Sequence, residues 1–413
     1  MVATELNDMD VVGLGHLKRL MPLFSCLHDV GCDRDTAGNR RLHFDGYCGL
    51  VTLFLFNPWI ASLRTLQKAV GLPAVARTLG IKRFSLGSFS ESPAVFEPEQ
   101  LKQVIAELAG RIKPLATDPK LADLKHTLEL VDGTLLRALP KMAESFVRHN
   151  NDGGNYHAWR LHTHLVVGAP APRLMERTSG HDGENKGGEI PHLRKNLQPD
   201  RCYVTDRRFY DVDLFNAIHA AGSSYVCRVR DDAVFQLVQE KELSQEALDA
   251  DVVRDAVVRA GHADKADHPM RLVVVQAEPH PKRTRKGTRQ SPGLVMIYTN
   301  LLEPPPEIIG LIYRCRWGIE LFFRFLKHLL GLRHLLSQRP EGIDIQVHCC
   351  LIACLLIHLQ TGRKPNKAMM DMLGFYLMGL AGEEDVIRFL NQPDNTGVKL
   401  RAKDAIWKKL GVN

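Results

Sequence analysis

Hydrophobic positions recur at helical spacing through residues 1–120. Pro58 to Val70, with Asn57 as a cap, and Pro98 to Ile112 carry apolar residues three and four apart, as an amphipathic helix does. Between them Pro73 to Leu79 reads as a short helix closed by Gly80, and Ser88 is placed to cap another. Helix, glycine turn, helix is compatible with a DNA-binding helix-turn-helix, and it is also the commonest connection in any helical domain.

Near Leu128 the period shortens. Thr127 to Asp132 predicts an apolar strand ending in a carboxylate, followed by strands Thr134 to Leu139 and Arg160 to Val167. Leu161 and Thr163 give the last of these the alternation of a half-exposed strand. A Gly/Asp/Asn-rich loop, 179–188, precedes a helix from Ile190 to Leu197. Cys202 to Thr205 is a strand with Asp206 at its end, Asp211 caps a helix from Val212 to Ala221, and Tyr225 to Val229 is a fifth strand. Strands alternating with helices make this a mixed α/β layout. A charged stretch, Phe235 to Ala260, reads as helix, Met270 to Gln276 and Leu294 to Thr299 as strands, and Pro304 to Pro306 break the chain before a long helix, Glu307 to Leu330. The expected division is a helical N-terminal domain (1–120), a first core segment (121–230), an inserted region (231–300), a second core segment (301–340) and a helical C-terminal region (341–413).

Composition narrows the class. With 45% hydrophobic and 24% charged residues among 413, the chain is an ordinary globular one. Nine cysteines, an odd number spread over a long chain, argue against a disulfide framework and for a reducing cytoplasm. The longest apolar stretches, Leu50 to Phe56 (with Thr52 inside) and Cys349 to Ile357, fall short of the roughly 18 residues of a spanning helix, so no membrane role is expected. A formal charge of +7 permits a nucleic-acid partner without requiring one. The loop with Lys282, Arg283, Arg285, Lys286 and Arg289, with no acid among them, suits phosphate contact or simple solvation.

The long helix carries the chemistry. Projected at 100° per residue from Tyr313, Arg316 lies at roughly 300°, Glu320 at roughly 340° and Lys327 at roughly 320°. A phenol, a guanidinium, a carboxylate and an ammonium thus share one stripe beside an apolar face of Ile319, Phe322 and Leu326. Between Tyr313 and Pro340 five arginines and one lysine surround a single acid, Glu320. That acid either pairs with Arg316 or Arg324 one turn away, or holds a metal while the cations hold phosphates.

The spacing Tyr313-x2-Arg316-x3-Glu320-x6-Lys327 resembles the Tyr-Arg-Glu-Lys signature of bacterial DDE transposases of the insertion-sequence-four family. Val131-Asp132-Gly133-Thr134, Val204-Thr205-Asp206-Arg207 and Tyr298-Thr299-Asn300-Leu301 are similar to that family's segments and stand in its order. The run Phe84 to Glu91 is a looser match to its leader domain. The resemblance covers most of residues 40–360. It implies a ribonuclease-H-like core whose first and fourth strands are neighbours, so that Asp132, Asp206 and Glu320 converge as catalytic carboxylates. Oxygen-only ligands suit Mg²⁺ or Mn²⁺, two ions about 4 Å apart in such sites. The resemblance further implies Tyr313, Arg316 and Lys327 on DNA phosphates, with Arg324, Trp317 and the basic loop as further DNA contacts. Double-stranded transposon ends and target DNA are the implied partners, engaged by a homodimer. A DNA-binding repressor derived from a transposase, or a nuclease that cuts without joining, are the rival readings. Related excision through a DNA hairpin uses a tryptophan in the inserted region, and none occurs between 231 and 299 here.

Other constellations are weaker. Cys26, His28, Cys32, His43 and Cys48 match no paired zinc-ligand spacing. His162 and His164 share a strand face and read as surface or core histidines. Cys349, Cys350 and Cys354 fall in an apolar helix that, with Met369 to Leu380, is a candidate dimer interface.

Overall fold

The computed structural model describes residues 21–32, 40–57, 60–81, 83–115, 117–137, 146–149, 155–178, 188–230, 233–260, 266–277, 293–328, 334–362, 367–377 and 380–392. The basic loop from Lys282 to Arg289, and Leu329 and Leu330, lie outside these residues.

The N-terminal part is helical. Helices α1 (Phe44–Phe56), α2 (Leu63–Val70), α3 (Pro73–Leu79), α4 (Leu86–Glu91) and α5 (Leu101–Gly110) follow one another. Asn57 closes α1 instead of opening the next helix. Helix α2 starts at Ser62, whose side chain accepts from Thr65 N–H, and Ser85, not Ser88, caps α4. The two serine caps have one cause: a serine caps where the donor three residues on lacks a helical partner, and several serines here satisfy that on paper. Gly80 does end α3 with a φ of +67°, a left-handed cap that suits glycine.

The centre is one ten-stranded mixed sheet. Its strands are β1 (Thr127–Arg137), β2 (Phe146–His149), β3 (Asn155–Val166), β4 (Leu174–Thr178), β5 (Arg201–Thr205), β6 (Ser224–Arg228), β7 (Phe235–Glu240), β8 (Val252–Ala260), β9 (Met270–Gln276) and β10 (Leu294–Thr299). The order is β2-β3-β1-β5-β6-β10-β9-β8-β7, with β4 also on β3. Strand β1 is antiparallel to β3 and parallel to β5, and β5 is parallel to β6. This is the ribonuclease-H-like arrangement, extended by an antiparallel meander. The meander, residues 235–299, is an outgrowth of the same sheet, since β10 hydrogen-bonds directly to β6.

Three expectations are corrected here. The stretch Phe235 to Ala260 is not a helix but β7, the short helix α8 (Gln245–Asp249) and β8. The β-branched run around Val252, Val257 and Val258 pairs with β9, and this outweighs the charge pattern. Thr127 to Arg137 is a single strand, so Asp132 sits in mid-strand rather than at an end. Strand β3 is not half-exposed: His162, Thr163 and His164 are all buried, because helices cover both faces of the sheet.

Helices α6 (Glu189–Lys195) and α7 (Val212–Ala220) pack on one face, around Val131, Leu193, Tyr203 and Phe215. The opposite face receives α9 (Pro306–Cys315) and α10 (Trp317–His328), over Leu130, Val204, Ile312 and Ile319. A third core joins α1, α5 and α11 (Pro340–Thr361) to Trp159 and Leu161 of β3. Arg177 ties this core to the sheet, with two hydrogen bonds to Asp344 at 2.9 and 3.2 Å and its guanidinium 4.4 Å above the Trp159 ring. Helices α12 (Lys367–Leu377) and α13 (Glu383–Asn391) end the described chain.

Helix α11 meets the length and apolarity of a membrane span over Pro340–Leu359, with a mean hydropathy of 1.8, although no uninterrupted apolar run does. Gln346 and His348 interrupt the runs, and both are buried. Because 83% of that window is buried inside the protein, it is a core helix.

Candidate active site

The site begins with strand register. The β1–β5 ladder aligns Leu130 with Val204. Two more residues along each parallel strand bring Asp132 beside Asp206. Side chains alternate across a strand, so Asp132 shares a face with Leu130 and Thr134, the face covered by α9 and α10. Gly318 of α10 approaches the Leu130 side chain closely, and Lys327 Nζ donates to Thr134 Oγ1 at 2.5 Å.

Asp132 Oδ1 accepts from Gly133 N–H at 2.8 Å. Burial pushes its carboxyl up to about 6, the nearby charges of Asp206 and Glu189 push the same way, and the Gly133 N–H and Arg316 oppose them. Two carboxylates crowd together with too little positive charge between them. Asp206 follows β5 and accepts from Arg208 N–H at 2.8 Å, so it also caps the short turn at Arg207–Phe209.

The long helix expected from Glu307 to Leu330 is broken at Arg316. Arg316 N–H donates to the Tyr313 carbonyl at 3.1 Å, and Ile319 N–H to the Arg316 carbonyl at 3.2 Å. These three-residue bonds tighten the turn and divide α9 from α10. The stripe survives locally. Arg316 Nη2 lies 2.7 Å from Glu320 Oε1, and its guanidinium carbon is 5.6 Å from the centre of the Tyr313 ring. Burial works to release the Arg316 proton, but Tyr313 and Glu320 more than offset it, and Asp132 adds to their effect. Burial raises the Tyr313 phenol. Arg316 therefore stands in the fields of both Asp132 and Glu320.

Of the two uses considered for Glu320, this state of the molecule displays the ion pair. Among the described residues no three histidine, cysteine or carboxylate side chains stand close enough to hold a metal as they are. Asp132 and Asp206 are together, Glu320 is turned to Arg316, and Lys327 reaches Thr134, one strand position beyond Gly133. Arg324 lies over the Trp317 ring at 5.8 Å, and Trp317 is 37% exposed at the rim.

Sequence reasoning overlooked Glu189, Arg160 and Arg208. Glu189 opens α6, is 5% exposed, and lies 3.4 Å from Arg160 Nη1 and 3.7 Å from Arg208 Nη1. A Cβ at position 133 would stand 2.5 Å from Glu189 Oε1. The glycine after Asp132 was the available signal.

Elsewhere, His162 stacks on His192 at 4.0 Å, and burial drives the His162 imidazole down to about 2. His162 is a buried core residue, and His192 bonds Glu176 Oε2 at 2.9 Å while burial lowers its imidazole as well. His28, Cys32, His43 and Asp45 gather at the start of α1, with their polar atoms directed at one another: His28 Nδ1 to Asp45 Oδ2 at 2.8 Å, and Cys32 Sγ to His43 Nδ1 at 3.7 Å.

The family model described as the transposase DDE domain matches residues 124–356, more than half of the chain and the whole span from β1 into α11. This chain belongs to that family. Among curated relatives, the transposase-type protein y4zB of Sinorhizobium fredii is 23% identical over 223 residues, 54% of this chain and 58% of its own. The transposase for insertion sequence element IS421 of Escherichia coli is 26% identical over 258 residues, covering 56% of this chain and 64% of its own. A protein of insertion sequence element IS4SA from Synechocystis is 37% identical over 70 residues, 17% of this chain and 21% of its own. The chain thus spans less than two thirds of the length of each of these relatives. Among solved structures it is similar to the piggyBac transposase of a synaptic complex with hairpin DNA, at a TM-score of 0.44 and 11% identity, over 92% of this chain and 82% of that one.

Proposed function

We propose that this DDE transposase binds the terminal inverted repeats of an insertion sequence, cleaves there by two-metal phosphoryl transfer, and joins the freed 3′ ends to target DNA. The observation that carries the reading is the pairing of Asp132 with Asp206 beneath the α10 segment that bears Arg316, Glu320 and Lys327. The acid pair fits divalent ions: its donors are all oxygen, and Asp206 stands close enough to raise the Asp132 carboxyl further than burial already does. Asp132, Asp206 and Glu320 would be the ligands. Bound there, Mg²⁺ or Mn²⁺ would activate water and neutralise the leaving 3′ oxygen.

The chain's own groups do the rest. Tyr313, Arg316 and Lys327 donate to phosphates, two of them as charge-assisted donors, and so set the position of the DNA without reading its sequence. Glu320 takes up its ligand role when a phosphate replaces it on Arg316. The N-terminal helices α2 to α4 supply recognition of the repeats. The basic loop, Arg324 and Trp317 border the duplex. Two ends must be cut together, so the working form is a homodimer on DNA. A reducing bacterial cytoplasm is the location this reading implies, and nine free cysteines are compatible with it.

The test is incubation with paired element ends, Mg²⁺ and a target plasmid. Strand-transfer products are expected. Cleavage without joining would replace this reading with a nuclease, and binding alone with a repressor. In the same assay Glu320→Gln keeps end binding and abolishes nicking; retained nicking would remove Glu320 from the site.

A further inference from the structure

Glu189 is a buried acid directly behind the carboxylate pair. Its carboxyl lies against Gly133, on the face of β1 opposite the Asp132 side chain. The absence of a side chain at 133 makes the seat: any Cβ there would collide with Glu189 Oε1 at 2.5 Å. The seat is lined by cations. Arg160 of β3 is 3.4 Å away and only 14% exposed. Arg208, which is 60% exposed, lies 3.7 Å from Glu189 Oε1 through Nη1 and 3.7 Å from Asp206 Oδ2 through Nε. One guanidinium is therefore shared evenly between a carboxylate of the proposed metal site and an acid outside it.

We propose that Glu189 is a positioning residue of the carboxylate site, sharing Arg208 with Asp206 so that this guanidinium does not neutralise an oxygen a divalent cation needs. This rests on the metal-site reading above. A guanidinium and a divalent cation compete for the same carboxylate lone pairs. With Glu189 in place, Arg208 divides its attraction and Asp206 keeps its charge for the cation. Without that charge Arg208 swings fully to Asp206, and Asp206 becomes a poorer ligand. Glu189 also lies 3.4 Å from Arg160 of β3, the strand hydrogen-bonded to β1. Partners of metal-ligating carboxylates commonly change metal affinity by about 10-fold or more when removed.

The experiment is Mn²⁺ titration of the full chain without DNA, read by electron paramagnetic resonance, with melting temperature as a check on folding. Glu189→Gln is expected to weaken Mn²⁺ binding about 10-fold. Arg208→Gln, at an exposed position that tolerates change, is expected to tighten it about twofold to fivefold, the effect of removing one nearby unit charge in water. The double variant is expected to return to within about twofold of the parent, a rescue that a purely structural role for Glu189 cannot produce. Glu189→Gln binding Mn²⁺ as the parent does, or a double variant as weak as Glu189→Gln alone, would overturn the proposal. Asp132→Asn and Asp206→Asn separate the two levels. If both bind Mn²⁺ like the parent, or the parent binds none, the metal-site reading itself fails. If they lose binding while Glu189→Gln does not, only the role of Glu189 fails.

Discussion

Asp132→Asn should stabilise the metal-free protein while abolishing its chemistry. The carboxyl is raised from an ordinary 3.8 to about 6, first by burial and then by the charge of Asp206. Such a group favours folding while it keeps its proton, and that contribution disappears as pH rises through the folded value. At pH 5 the folded state holds the proton and the unfolded state has released it, so stability falls with rising pH over roughly pH 4–6. Above pH 7 the full cost is present, on the order of 3 kcal/mol. Asparagine occupies nearly the same volume and still accepts from Gly133 N–H, although without the help of charge, which returns about 1 kcal/mol. The net expectation is a gain of about 2 kcal/mol at pH 8, shrinking to nothing below pH 4. The assay is denaturant or thermal unfolding in EDTA at pH 4, 6 and 8, comparing Asp132→Asn with the parent. Saturating Mn²⁺ should then raise the melting temperature of the parent and leave the variant unmoved. A variant less stable than the parent at pH 8, or a difference independent of pH, would refute the electrostatic account of this carboxylate.

Three further outcomes follow from particular contacts. Gly133→Ala should cost about 1–3 kcal/mol in unfolding experiments and depress nicking, because the new Cβ displaces a buried carboxyl; unchanged stability and nicking would mean the Glu189 seat is loose. Arg271 of β9 makes a double hydrogen bond with Asp255 at 2.7 and 2.8 Å and donates to the carbonyls of Leu301, Leu302 and Pro304, just before α9. Arg271→Met should therefore destabilise the fold by about 3–5 kcal/mol, since Asp255 is left buried and unpaired; a loss below about 1 kcal/mol would deny it that role. Lys327→Ala should weaken binding to element ends and reduce the slope of log affinity against log salt by about 0.9, and an unaltered slope would show that Lys327 touches no phosphate.

The sequence by itself determined the signature and the order of its parts. Tyr313, Arg316, Glu320 and Lys327 are read by counting, because helical offsets are local and survive even the tightened turn at Arg316. Strands Met270–Gln276 and Leu294–Thr299, and the Asp211 cap of α7, were legible for the same reason: alternation and capping depend on neighbours within a few residues. What depended on distant partners was not legible. The stretch 235–260 carries enough charge to resemble a helix, and only the pairing of β7 with β8 and of β8 with β9 makes it two strands. His162 and His164 look half-exposed until a second layer covers them. Asp132 and Asp206 are brought together by a parallel ladder between segments more than 70 residues apart, and the acid that shares their arginine comes from a helix with no motif of its own. Local spacing states which side chains a site can use. Which of them share a face, a counter-charge or a proton is a property of long-range packing, because electrostatic fields depend on distance through space and not on distance along the chain.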